Sequence, residues 1–168
     1  MTLAAINALP QRSFVQELGW VFEESSWVAA RAWAKGPFKS AAALHAALVK
    51  EVEAAPAEEQ LALLRAHPDL GTRARLSAAS AGEQSGAGLD SLTREEFNLL
   101  HDLNTTYRER FGFPFLFAVK GSTKYDILSA LERRVHSAPE AEFPVALDQV
   151  YRIASFRLHS IFEGESKG

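Results

Sequence analysis

Thr93-Arg94-Glu95-Glu96-Phe97-Asn98-Leu99-Leu100-His101-Asp102-Leu103-Asn104-Thr105-Thr106-Tyr107-Arg108-Glu109-Arg110-Phe111-Gly112-Phe113-Pro114-Phe115-Leu116-Phe117-Ala118-Val119 is the stretch that decides how this chain folds. Its first four residues form a capping box, in which the threonine hydroxyl and the glutamate carboxylate satisfy orphan N–H groups at the start of a helix. The helix carries Phe97, Leu100, Asn104 and Tyr107 on one face and should end before Gly112, because Gly112 and Pro114 break it. Residues 113–119 are apolar and therefore read as buried, yet no other segment offers a strand to pair with them. Buried extended backbone must still find hydrogen bonds. Two readings stay open. The segment is core, paired by loops, or its free N–H and C=O groups line a pocket for a small amide-rich ligand, with the phenylalanines as dry walls.

Outward from this stretch, the pattern is helical almost throughout. Ser40 is placed to cap a helix over residues 41–54, with Leu44, Leu48 and Val52 on its inner face. Pro56 starts another, whose first turn holds Glu58 and Glu59, where the helix dipole favours acids. Leu61 and Leu64 should be its buried face, and it ends at His67. Further helices are predicted over residues 124–135 and from about 139 to 162, the last with Val145, Val150, Ile153, Phe156 and Leu158 in the core. There is no strand-turn-strand alternation, no Asn-Gly hairpin, no Rossmann-type glycine pattern and no internal repeat. Residues 77–91, rich in glycine and serine, read as a functional loop or a short helix within one. The fold class is all-α: one helical domain over residues 1–168, a bundle of about eight or more helices with one irregular extended Phe/Pro segment.

Composition narrows the function. A chain of 168 residues suggests one domain and buries enough surface to need no covalent staple. Hydrophobic residues make up 47% and charged residues 23%, ordinary for a globular protein. The net charge of -3 gives no reason to expect nucleic acid or an anionic membrane as partner. With no cysteine, thiolate catalysis, disulfides, Fe–S clusters and cysteine-type zinc sites are excluded. No apolar run approaches the ~20 residues of a membrane span, and the first residues lack a basic region before their apolar ones, so neither a membrane anchor nor a signal peptide is expected.

The available chemistry is sparse. No Gly-x-Ser-x-Gly elbow supplies a nucleophile. The five histidines show neither His-x-x-x-His spacing nor His-Glu-x-x-His, so no metal site is expected. His67 stands out because Pro68 disfavours helical backbone before it and cannot continue the hydrogen-bond ladder. The imidazole is thereby held at a rigid bend. A surface histidine at a helix end is the competing reading. Glu83-Gln84 in the following loop favours the functional one: general acid–base work by His67, with Glu83 orienting it or tuning its charge. Arg157 follows Ile153 by one helical turn and lies near the apolar face of the last helix, placed either for a substrate carboxylate or for a salt bridge.

Three blocks stand out together: His67-Pro68-Asp69-Leu70-Gly71, Ser80-x-x-Glu83-Gln84-x-x-Ala87-Gly88-Leu89, and Leu103-Asn104-x-x-Tyr107-x-x-Arg110-Phe111-Gly112-Phe113-Pro114-Phe115. They resemble the OHCU decarboxylase family, whose members act on 2-oxo-4-hydroxy-4-carboxy-5-ureidoimidazoline (OHCU) in urate breakdown. Ile153-Ala154-x-x-Arg157-Leu158 is similar to the family's final signature. The resemblance runs through nearly the whole chain in order. It implies an all-α fold, a homodimer, no cofactor, and (S)-allantoin as product. By the same resemblance His67 is the proton donor and Glu83 the acid beside it. Pro68, Ser80, Gln84 and Arg157 then contact substrate, and the backbone of Phe115, Leu116, Phe117, Ala118 and Val119 lines the active site, holding the ureido group and ring. The ending Ser166-Lys167-Gly168 departs from the peroxisomal Ser-Lys-Leu signal of eukaryotic members and suggests a bacterial, cytoplasmic setting.

Two other classes bear on the same residues. His67-Pro68-Asp69 is also the tripeptide of J-domain co-chaperones, but their preceding helix is strongly basic, whereas this one opens with Glu58-Glu59 and offers only Arg65. A helical module that binds a ureide without turning it over would share every motif above, and only an activity assay separates it from a catalyst.

Overall fold

The computed structural model describes residues 1–70 and 89–166, and Ser80, Glu83 and Gln84 lie outside them. Among the described residues there are eight α-helices and no strand: α1 (Leu3–Asn7), α2 (Gln11–Leu18), α3 (Trp27–Ala32), α4 (Ala41–Ala54), α5 (Ala57–Ala66), α6 (Arg94–Phe111), α7 (Lys124–Arg134) and α8 (Pro139–Ser166). Short 3-10 turns at Gly19–Val21, Trp33–Lys35 and Leu89–Ser91 complete the regular structure. The fold is all-α, as the capping and periodicity predict. No helix among the described residues is long and apolar enough to cross a membrane.

The chain divides into two compact units, residues 1–66 with 151–168, and residues 67–150. In the first, α3 packs on α2 and α4. Leu44, Leu48 and Val52 of α4 are fully buried, and the Ser40 hydroxyl accepts from the Ala43 N–H at 3.0 Å, so the predicted cap and inner face are both present. The three helices before residue 40 escaped sequence reading because they are short. The first starts where the Thr2 hydroxyl accepts from the Ala5 N–H at 3.0 Å. The Asn7 carboxamide then pairs with both backbone groups of Phe38, donating to its C=O at 2.9 Å and accepting from its N–H at 2.8 Å. Phe14 stacks on the Phe38 ring. In α5 the buried pair is Leu63 and Leu64. Leu61, expected inside, is only half-buried and lines a surface groove with Glu58 and Arg65.

In the second unit α6 packs on α7. The capping box at Thr93 and Glu96 is formed at both ends, and α6 stops at Gly112, whose φ of 80° suits a residue without a Cβ. Leu100, Asn104 and Tyr107 are its buried residues, while Phe97 is half-buried. A second capping box, Thr123 with Asp126, starts α7. In α8 the buried line is Ala146, Val150, Ala154 and Leu158, spaced by four. Val145, expected in the core, is 40% exposed: it lies one position off that line, about 100° round the helix. Ile153, also one position off the line, and Phe156, two positions off it, are half-buried. The helix also runs past the expected 162, to Ser166.

Candidate active site

His67 directly follows the last residue of α5, where Pro68 ends the helical ladder, and it opens the second unit. Its side chain is not a solvent-facing one: the residue is 6% exposed. The surface-histidine reading therefore does not hold. Pro68 beside it is half-buried.

Residues 114–119 belong to the same unit and take part in no helix or strand. Phe115, Leu116, Ala118 and Val119 are buried and Phe117 is half-buried. The Phe115 and Phe117 rings stack at 6.1 Å between centroids, the spacing of alternate side chains on one face of an extended chain. Tyr107 of α6 meets this strip edge-on, 5.4 Å from Phe115 and 5.9 Å from Phe113, and Phe143 of α8 meets Phe113 in the same way at 6.0 Å. The result is an aromatic wall.

The backbone of the strip is satisfied by side chains. Arg134, at the end of α7, donates from Nη1 to the Leu116 C=O at 2.8 Å. Gln149 of α8 accepts the Ala118 N–H on Oε1 at 2.8 Å. Arg134 is itself buried, and its guanidinium lies 4.6 Å over the Phe115 ring. Glu142, 1% exposed, neutralises it. One carboxylate oxygen of Glu142 accepts from Arg134 Nε at 2.7 Å and from the Tyr107 hydroxyl at 2.5 Å, with Arg134 Nη2 also 2.5 Å away. Burial, followed by the hydrogen bond to Glu142, pushes the Tyr107 phenol far above its ordinary value, so it stays a neutral donor.

Sequence reading named the strip and missed Arg134, Glu142 and Gln149. For Arg134 a signal existed: it continues the apolar line of Ile127 and Leu131, as Arg157 continues that of Ile153. Asn104 is a further buried polar side chain, 3% exposed, whose carboxamide has no hydrogen-bond partner among the described residues.

Arg157 belongs to the first unit. Its guanidinium donates to the C=O groups of Trp20 and Val21 at 3.2 and 3.4 Å and pairs with Glu23 at 3.0 Å. Among the described residues no group of three or more histidine, aspartate or glutamate side chains could hold a metal ion.

A helical protein with a buried imidazole and an aromatic, side-chain-bonded backbone strip is the class the geometry defines. The family model for OHCU decarboxylase matches residues 7–159, and the chain belongs to that family. It is 48% identical over 165 residues to a 2-oxo-4-hydroxy-4-carboxy-5-ureidoimidazoline decarboxylase of Haloferax volcanii, covering 98% of each chain. It is 44% identical to the uric acid degradation bifunctional protein PucL of Bacillus subtilis, matching 99% of this chain but 34% of that one. The crystal structure of an (S)-allantoin synthase superposes with a TM-score of 0.78 at 35% identity, over 95% of this chain and 54% of that chain. The co-chaperone reading is thereby set aside.

Proposed function

We propose that this chain is a decarboxylase that converts OHCU to (S)-allantoin, with His67 as the proton donor that sets the product's handedness. The burial of His67 at the Pro68 bend is the observation that carries the reading. Its near full-length similarity to a protein named for that reaction supports it.

The substrate carboxylate sits on a ring carbon next to a C=N bond. When the carbon–carboxylate bond breaks, CO2 leaves and the electron pair enters the ring, ending on the imine nitrogen, which takes up a proton from solvent. The ring is then an enol. It becomes allantoin when the ureido-bearing carbon gains a proton and the hydroxyl loses one. A planar centre can be protonated from either face, and an acid fixed on one side gives a single enantiomer. His67 supplies that proton, and Glu83 receives the hydroxyl proton and tunes the imidazole. Pro68, Ser80 and Gln84 hold the substrate, and the backbone of residues 115–119 pairs with its amide groups. The aromatic wall favours loss of the carboxylate charge over its solvation. The active species on this reading is a homodimer of single-domain chains in the cytoplasm, and the ring itself accepts the electrons, so the reaction calls for no cofactor.

Freshly prepared urate-oxidation product, carried to OHCU and followed by circular dichroism, tests the function. A catalyst accelerates the rise of one allantoin enantiomer. A slow, racemic decay equal to that without protein would leave only a ureide-binding module.

A further inference from the structure

We propose that Gln149 and Arg134 are positioning residues, which fix one edge of the strip at residues 115–119 so that the opposite edge, the N–H and C=O of Phe117, faces the ligand. The inference rests on the functional reading above and goes further by naming which backbone groups do the recognising and what holds them.

In an extended chain the N–H and C=O of one residue point to one edge and those of the next residue to the other. Leu116 and Ala118 therefore share an edge, and that edge is occupied: Arg134 takes the Leu116 C=O and Gln149 takes the Ala118 N–H. The other edge belongs to Phe115, Phe117 and Val119. The Val119 C=O accepts from the Ser122 N–H at 2.9 Å in the following turn. Among the described residues neither the N–H nor the C=O of Phe117 makes a hydrogen bond, although residues on both sides of it are buried. One donor and one acceptor, side by side on a strip edge, match the N–H and C=O of a ureide or ring amide as a second strand would. The clamped edge also explains the buried ions. Arg134 can reach into an aromatic wall only because Glu142 neutralises it and Tyr107 shares the carboxylate, which makes the support rigid.

Gln149 carries the test, since it is half-buried and bonded to the strip alone, whereas Arg134 variants endanger folding. Gln149→Met keeps the side-chain length and removes the acceptor; Gln149→Glu keeps the acceptor. In the circular dichroism assay Gln149→Met should raise KM at least about fivefold with kcat within about threefold, and Gln149→Glu should restore KM. A purely structural role would lower Tm and the active fraction and leave KM unchanged, which would overturn the proposal. A second arm needs no turnover. With 15N-phenylalanine-labelled protein, (S)-allantoin should shift the Phe117 amide signal, with a Kd raised at least about fivefold in Gln149→Met. An unmoved Phe117 amide, or equal Kd values, would overturn the inference. An inactive wild type that still shifts the Phe117 amide would instead overturn the catalytic reading alone.

Discussion

A single oxygen of Glu142 holds the buried polar cluster together, because it accepts from both Arg134 and Tyr107. A buried ion pair is weak evidence for net stability, but breaking one by removing a partner leaves a charge with no solvent, at a cost of about 3–5 kcal/mol. Glu142→Gln should therefore lower Tm on the order of 10 °C in a thermal melt. Tyr107→Phe removes only a neutral donor and should cost roughly 1–3 kcal/mol. The double variant should lose less than the sum, since both singles act on the same oxygen. Additive losses would show that the three side chains do not act as one unit.

Among the elements, α6 and α7 are joined at the surface by Lys124, whose ammonium lies 2.8 Å from Glu96 and also donates to the Ser91 C=O. The hydrogen bond to Lys124, and then that to the Thr93 N–H, hold the Glu96 carboxyl below its ordinary value of 4.5. A depressed carboxylate contributes stability above its unfolded value and loses it as the pH falls through the folded one. The bond to Glu96 conversely raises Lys124, so its share is present below its ordinary 10.5 and fades as the pH climbs past the folded value. The Tm difference between wild type and Glu96→Gln should be largest in the neutral range and shrink below about pH 4. A difference that stayed constant down to pH 3 would contradict this linkage.

These elements also show what a sequence discloses. The caps at Ser40, Thr93 and the stop at Gly112 are written within a few residues, so helix bounds were legible. The core of α8 was read one position off at Val145, because a long helix with apolar residues on several sides leaves its inward line ambiguous. The strip at residues 113–119 could be seen to need hydrogen bonds but not where they came from. Arg134 and Gln149 reach it from 18 and 31 positions away in the chain, and no local pattern records that.

At the scale of the whole molecule, the similarity to the Haloferax volcanii protein covers 98% of each chain. In the proposed mechanism the imidazole buried behind Pro68 delivers one proton to one face of a planar intermediate. The most direct measurement is the rate and enantiomeric composition of allantoin formed from fresh OHCU by His67→Asn, read by circular dichroism beside a thermal melt showing that the variant is folded. A positioned proton donor is worth about 10²–10⁴ in rate, so kcat should fall by that order and the remaining product should be racemic. A folded His67→Asn that made (S)-allantoin within threefold of the wild-type rate would contradict the claim.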